Sequence, residues 1–159
     1  MKNTTTKLDH VPAIRFAQSE KEIEDCWEVI KELRPHLQKE NLVAQVKEME
    51  QEGYRIVYVA IKEGEEEKVV SFAGFRPLQM LFSGKMIYID DLGTLPAYRG
   101  HGYAGQLLDY IHQLAKDTGK TGVHLDSGHH RSDAHRLYLN KKFRISAHHF
   151  TLNFNSDGK

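Results

Sequence analysis

Residues 92–108 read LGTLPAYRGHGYAGQLL. An apolar run meets Pro96, passes through a turn rich in glycine, and enters a helical pattern. Ala104, Leu107, Leu108, Ile111, Leu114 and Ala115 fall on one helical face, which predicts a helix over about Gly102–Thr118. Gly100, Gly102 and Gly105 permit tight backbone geometry and the close approach of a ligand. A helix start presents unpaired N–H groups and the positive end of the helix dipole, and the two together bind phosphate. Arg99 adds a fixed positive charge at the lip of this turn.

Other readings of the same turn compete. Glycines between a strand and a helix can be structural only. A Walker phosphate loop requires G-x-x-x-x-G-K-[ST], and the chain holds no such string. Gly100-His101-Gly102-Tyr103-Ala104-Gly105 does satisfy the dinucleotide spacing G-x-G-x-x-G. It lies past mid-chain, however, after a predicted hairpin. No acidic residue ends a following strand in the required way, Asp126 being the nearest, and too little chain remains for that fold.

Working outward, the elements fall into place. Residues 1–12 read as a flexible arm ending at Pro12, and Ala13–Ala17 as a short strand. Ser19 is placed to cap a helix carrying Ile23, Cys26, Trp27, Ile30 and Leu33 on one face, with Pro35 at its end. A second helix covers roughly Leu42–Gln51 and closes at Gly53. The period then changes. YRIVYVAI (54–61) is a strand apolar on both faces, KEGEEEK (62–68) a charged turn, and KVVSFAGF (68–75) the return strand. After a loop, MIYIDDLGTL (86–95) is a further strand. Downstream of the glycine turn come a strand at 122–127, a short helix at 133–142, a final strand at 143–154 and a tail at 155–159. The fold class is α/β, one domain over 13–154 with a mixed central sheet flanked by helices, in the order β-α-α-β-β-β-α-β-α-β.

Composition excludes several classes. With 159 residues, 40% of them hydrophobic and 28% charged, the chain is long enough for one domain with a real core. A formal net charge of zero and the lack of a basic stripe disfavour nucleic acid. No apolar run approaches the roughly 18 residues that a membrane helix needs. The start MKNTTTKLDHVP is not a signal peptide, and the lone Cys26 leaves no disulfide or multi-cysteine zinc site. The expected compartment is the cytoplasm.

Two separated stretches give the chain a family resemblance. Arg99-Gly-His-Gly102-Tyr-Ala104 resembles the [Q/R]-x-x-G-x-[G/A] signature of the GNAT N-acetyltransferases. Ala134-His-Arg-Leu137-Tyr138-Leu-Asn-Lys-Lys142-Phe143 is similar to that family's A-x-x-L-Y-x-x-x-G-F element, with Lys142 where glycine is usual. The order of elements agrees over residues 13–154.

The resemblance implies acetyl-CoA as donor and a primary amine, of a small molecule or a peptide, as acceptor. It implies that backbone amides from His101 through Gly102, Tyr103 and Ala104 to Gly105 hold the pyrophosphate, beside Arg99 and Gly100. Leu92, Gly93 and Thr94 would hydrogen-bond the pantetheine arm as a pseudo-strand, with Gly93 suited to a bulge. Arg131 and Ala134 would touch the cofactor, and Tyr138 would be the acid beside the leaving sulfur. Tyr88-Ile89-Asp90-Asp91 is similar to a stretch of spermidine/spermine acetyltransferases, which implies Asp90 as the base and Asp91 as the group orienting a cationic amine. The acceptor wall would be Trp27 and the loop Arg34–Asn41, with His36, Lys39 and Glu40.

HLDSGHHRSDAHRLY (124–138) also holds His124, His129, His130 and His135 with Asp126 and Asp133. A metal site is one reading. The chain has no H-E-x-x-H string and no second cysteine, and the elements separate these imidazoles, so no metal is expected. His124 and Asp126 share a strand face, Ser132 or Asp133 caps the last helix, and His129 or His130 lines the acceptor pocket or serves as an alternative base. Two further readings remain: a CoA-binding domain without turnover, and a homodimer paired through the final strand.

Overall fold

The computed structural model describes residues 12–154. The expected arm up to residue 11 and the tail at 155–159 lie outside them. The chain falls into two compact units, one ending at Leu125 and the other beginning at Asp126.

The first unit is built on a five-stranded sheet in the order β1-β2-β3-β4-β5. β1 (Ile14–Phe16), β2 (Arg55–Glu63), β3 (Glu66–Met80) and β4 (Gly84–Thr94) pair antiparallel in sequence, while β5 (Val123–Leu125) lies parallel to β4. The sheet is therefore mixed, as the element pattern predicts. The apolar, β-branched run of β2 is buried on both faces. On one side α1 (Glu20–Asp25), α2 (Trp27–Leu33) and α3 (Lys39–Gln51) pack Ile23, Val29, Ile30, Leu42 and Val46 against Ile56, Tyr58 and Phe72. α4 (Tyr103–Asp117) packs against β2, β3 and β4, and its Leu107, Leu108 and Ile111 are fully buried. No helix among the described residues is long and apolar enough to cross a membrane.

Several boundaries differ from the sequence reading. The single first helix is two. The Cys26 amide reaches back only three residues to the Ile23 carbonyl (3.2 Å), tightening the chain before the Cys26 carbonyl starts α2 at Ile30 (3.0 Å). Ser19 caps α1 as expected, in a reciprocal box with Glu22. β3 and β4 form one long hairpin through residues expected to be a loop. Pro77 is tolerated because it lies beyond the last β2 partner, Arg55 opposite Phe75. The hairpin tip leaves Leu81 and Phe82 fully exposed.

α3 ends as the glycine predicts. Gly53 (φ +88°) sends its amide to the Glu50 carbonyl (3.0 Å), and Tyr54 sends its own to Met49 (3.1 Å), a Schellman turn. In the second unit, α5 (Ser132–Asn140) ends the same way. Lys142 donates to Leu139 and Phe143 to Tyr138, both at 3.0 Å, and Lys142 takes φ +67°. Lys142 thus takes, without being glycine, the left-handed geometry that Gly53 takes at the end of α3.

Three expectations in this part of the chain fail. Arg131, not Ser132 or Asp133, is the N-cap of α5, and no side chain accepts from its first amides. β5 spans three residues, so Asp126 lies past the strand rather than on it. Residues 143–154 form no strand. They alternate apolar and polar, but no ladder forms there, and Ile145, Phe150, Leu152 and Phe154 are exposed.

Candidate active site

β4 carries the site. Its pairing with β5 stops at Ile89 opposite Leu125, whereas its pairing with β3 continues to Thr94 opposite Ser71. Over Asp90–Thr94, β4 therefore has a strand on one side and none on the other among the described residues. A row of main-chain donors and acceptors lies along that edge. Gly93 is not the bulge expected of it. It pairs regularly with Phe72, and a Cβ there would crowd the Phe72 ring (3.2 Å) and Leu33 (3.4 Å). Glycine at 93 lets α2 close onto the sheet.

Past Thr94, Pro96–Tyr98 make one tight 3-10 turn, and Arg99 is extended. Gly100 (φ +80°) and Gly102 (φ +83°) then turn the chain through left-handed geometry into α4. A Cβ on either would meet nothing within 4 Å, so backbone conformation, not packing, requires them. Among the described residues no side chain caps α4. The His101 side chain turns back on its own loop. Its Nδ1 faces the Tyr98 and Arg99 carbonyls (3.0 and 3.1 Å) and so carries the hydrogen, and its ring stacks on Tyr103. Arg99 is held by the Thr94 carbonyl (Nε, 3.3 Å) and Glu32 (3.4 Å), with most of its side chain exposed. Ala104 and buried Gly105 follow in the first turn. In that turn the Gln106 Oε1 is buried with no hydrogen-bond partner among the described residues. This local run fits an anionic ligand that is met by main chain rather than by side chains.

The bulge sits at Asp90. Gly74 pairs with Asp91 and Phe75 with Ile89, which leaves Asp90 as the extra residue on β4. Alternation predicts that Asp90 and Asp91 point to opposite faces, and the bulge overrides it. Asp90 meets Arg76, through Nε (3.0 Å) and Nη2 (2.7 Å), and Arg76 also reaches Glu52 (2.8 Å). The same guanidinium lies 5.5 Å from the centre of the Tyr54 ring. The Tyr54 hydroxyl donates to Asp91 Oδ2 (2.8 Å). Arg34 completes the set, its Nε donating to Asp91 Oδ1 (2.9 Å) and its Nη2 to the Asp90 carbonyl (3.0 Å). Both carboxylates thus share one face. Burial raises the Asp90 pKa above its ordinary value, with Arg76 opposing. Burial, and then Asp91, push the Tyr54 phenol well up. A Cβ on Gly74 would overlap the Tyr54 hydroxyl, so glycine at 74 is what admits this network.

Beside Asp91 lies a cavity of about 280 Å³ between α2, α3 and the sheet. Arg34, His36, Gln45, Tyr54 and Asp91 line it together with apolar side chains. His36, expected on the acceptor wall, lines this cavity. Trp27 is not: it is buried in the core under Lys31, because the break at Cys26 sets it at the start of α2 with its ring inward. Lys39 and Glu40 are exposed at the start of α3. The sequence reading missed Arg34 as an ion-pair partner, and Tyr54, Gly74 and Arg76 entirely.

The other expected residues belong to the second unit. Tyr138 is half-buried on α5, in edge contact with Phe143 (5.8 Å), and burial raises its pKa, with Arg131 opposing. Ala134 is half-buried and Arg131 exposed on the same helix. His129 and His130 are exposed in the preceding turn, edge to face with each other (5.7 Å). His135 engages the Gly128 carbonyl (2.9 Å), and His149 lies 3.4 Å from Asp126. Among the described residues no three His, Cys, Asp or Glu side chains form a metal-binding group.

Comparison with known proteins bears on this arrangement. A family model described as the acetyltransferase (GNAT) family matches residues 16–143. A Bacillus subtilis (strain 168) protein named as an uncharacterized N-acetyltransferase, YhdJ, is 29% identical over 133 residues, spanning 83% of this chain and 92% of that protein. The crystal structure of a Trypanosoma brucei acetyltransferase has a TM-score of 0.73 at 19% identity, covering 91% of this chain and 100% of its own. AAC(6')-Iy, an aminoglycoside N-acetyltransferase solved with the bisubstrate analogue CoA-S-monomethyl-acetylneamine, gives a TM-score of 0.76 at 15% identity, covering 91% of this chain and 99% of its own. At such identities the two structures speak for the fold alone.

Proposed function

The chain is an acetyltransferase of the GNAT family, and on that premise we propose that it transfers the acetyl group of acetyl-CoA to a primary amine by direct attack within a ternary complex. The observation that carries this reading is the open β4 edge leading, through two left-handed glycines, into an uncapped helix start. The edge at Leu92–Thr94 suits the amides of pantetheine, and the amides of His101–Gly105 suit the pyrophosphate. Arg99 adds charge at the lip.

Within that complex the residues divide the work. Asp91, which lines the cavity, holds the acceptor amine. Asp90 receives its proton through a water, and its raised pKa makes it a better base than an exposed aspartate. The freed nitrogen forms its bond to the thioester carbon, the carbon–sulfur bond breaks, and the sulfur takes a proton from Tyr138. Burial keeps Tyr138 protonated well above neutral pH, so it arrives able to donate. A thiol with a pKa of about 8.5 is a fair leaving group unaided, so the acid accelerates rather than enables the step.

The test follows CoA release over a panel of amines. Turnover with any amine is expected; tight acetyl-CoA binding with none would mean a CoA-binding domain without catalysis. Asp90→Asn should lower kcat and flatten the rise of rate toward alkaline pH. Asp91→Asn should instead raise the amine KM. Tyr138→Phe should lower kcat with little change in the acetyl-CoA KM. An unchanged kcat in Tyr138→Phe removes Tyr138 as the acid.

Two wider readings accompany this one. A free, buried Cys26 fits a reducing compartment such as the cytoplasm. The alternating, exposed apolar residues of 143–154 fit strand pairing in a homodimer. Sedimentation of the whole chain as a monomer at all concentrations would dismiss the homodimer.

A further inference from the structure

The chemistry of the cavity beside Asp91 says what kind of amine it takes. Ile30, Leu37, Leu42, Val46, Met49 and Phe72 make most of its wall apolar, with Gln45 and His36 as polar members beside the Asp91 group. Its carboxylate is not a free negative charge. Asp91 spends Oδ1 on Arg34 and Oδ2 on Tyr54, and Asp90 behind it is held by Arg76. A polyamine or aminoglycoside carries several ammonium groups, and each must find an unspent acceptor or lose hydration without return. Two acidic residues in sequence suggest a cationic acceptor; in the structure each already has an arginine partner.

Arg34 has capacity to spare. Its Nε and Nη2 are engaged, while the two N–H groups of Nη1 have no partner among the described residues, on a side chain that lines the cavity. An ion pair at the mouth of an apolar cavity is complementary to a zwitterion with an apolar side chain. The carboxylate meets the guanidinium, the ammonium meets the carboxylate, and the side chain goes inside.

We propose that the acceptor is an apolar α-amino acid, with its carboxylate on Arg34 Nη1, its amine at Asp91 and its side chain in the cavity. The proposal rests on the acetyl-transfer reading above and narrows it. The new bond joins the amino nitrogen to the acetyl carbon, the thioester bond breaks, and the amine's proton leaves by way of the base. The products are an N-acetylated amino acid and CoA. Arg34 is then the specificity-determining residue.

The experiment compares kcat/KM, by CoA release, for L-methionine, L-leucine and L-phenylalanine with isoamylamine, phenethylamine, spermidine and kanamycin. The amino acids should exceed the decarboxylated amines by about tenfold or more, the worth of one charge-assisted pair. They should exceed spermidine and kanamycin by a wider margin. Equal or better turnover of spermidine, kanamycin or a decarboxylated amine overturns the proposal while leaving the enzyme an acetyltransferase. No turnover of anything overturns both readings. Arg34→Gln should bring the ratio of phenylalanine to phenethylamine toward one, and an unchanged ratio counts against the proposal. A general loss of structure would not move that ratio selectively. Met49→Trp, which fills the cavity, should raise the amino-acid KM about tenfold and leave the acetyl-CoA KM unchanged. A rise in both, or in neither, counts against the cavity as the side-chain seat.

Discussion

Two regions a few residues apart on β4 are built on opposite plans. From Leu92 to Gly105 the main chain is left open: among the described residues the strand edge is unpaired on one side, no side chain caps the α4 start, and a Cβ on Gly100 or Gly102 would meet nothing within 4 Å. At Asp90 and Asp91 nearly everything is committed, each carboxylate being bound by an arginine, and Tyr54 closing the ring. Unspent main-chain groups in a fixed array receive a ligand whose charge the protein lacks. Spent side chains receive a ligand that must bring its own charge balance. The first plan suits a cofactor common to a family, and the second suits an acceptor particular to one protein.

The sharpest way to break this contrast is at Gly74. A Cβ there overlaps the Tyr54 hydroxyl, which has no free direction because Asp91 holds it and the ring is buried. Gly74→Ala should cost about 3 kcal/mol, combining overpacking with a lost hydrogen bond to a charged group. Thermal unfolding should move down by roughly 6–12 °C for a chain of this size. The acceptor KM should rise far more than the acetyl-CoA KM. Equal rises would mean the two regions are not separable.

The two regions were also unequally legible in the sequence. The glycine turn is local. Its signal lies in about a dozen consecutive residues, and the conformations at Gly100 and Gly102 are those such a turn needs. The carboxylate network is not local. Arg34 is 57 residues from Asp91, and Tyr54 is 37. No spacing rule links them; only the sheet register and the helix packing do. The bulge at Asp90 was misplaced for a related reason, since glycine at 93 suggests one and aspartate at 90 does not. The last segment fails differently. Residues 143–154 have the alternation of a strand, but alternation supplies only one edge of a ladder.

The next effect belongs to the open region. Gly102→Ala forces a Cβ into left-handed geometry at about 1–2 kcal/mol. Nothing crowds that Cβ, so the cost falls on the turn. The acetyl-CoA KM should rise roughly tenfold or more, with the amine KM unchanged. A variant that binds acetyl-CoA normally would show that the turn tolerates other geometry, and would weaken the reading of this loop as a preset anion seat.

A smaller effect tests how fully the carboxylates are spent. Burial outweighs Arg76 and raises the Asp90 pKa from 3.8. A carboxyl with a raised folded pKa binds its proton more tightly when folded. Its contribution to stability is therefore full below the unfolded value and is lost as pH rises through the higher folded value. Asp90→Asn lacks this titration. The stability of wild type relative to Asp90→Asn should fall as pH rises from below 3.8 through the window just above it, then stay level to neutrality. Urea midpoints across that range measure it. A relative gain on raising the pH would mean that the Arg76 pair outweighs burial.

The smallest expected effect calibrates the others. Lys142 takes φ +67° in a Schellman turn made by Gly53 elsewhere in the chain. Lys142→Gly relieves left-handed strain of about 1–2 kcal/mol but frees the unfolded chain by about 0.4–1 kcal/mol. The net gain should be about 0.5 kcal/mol, a rise in Tm of roughly 1–2 °C. Gly53→Ala should go the other way and further, because its Cβ also meets Pro77 at 3.1 Å. This pair gives the cost of a side chain at positive φ in this protein with no ligand present. Whatever Gly102→Ala loses in acetyl-CoA affinity beyond that cost measures the closeness of the cofactor's approach. If nothing is lost beyond it, Gly102 shapes the turn and the amides around it do the binding.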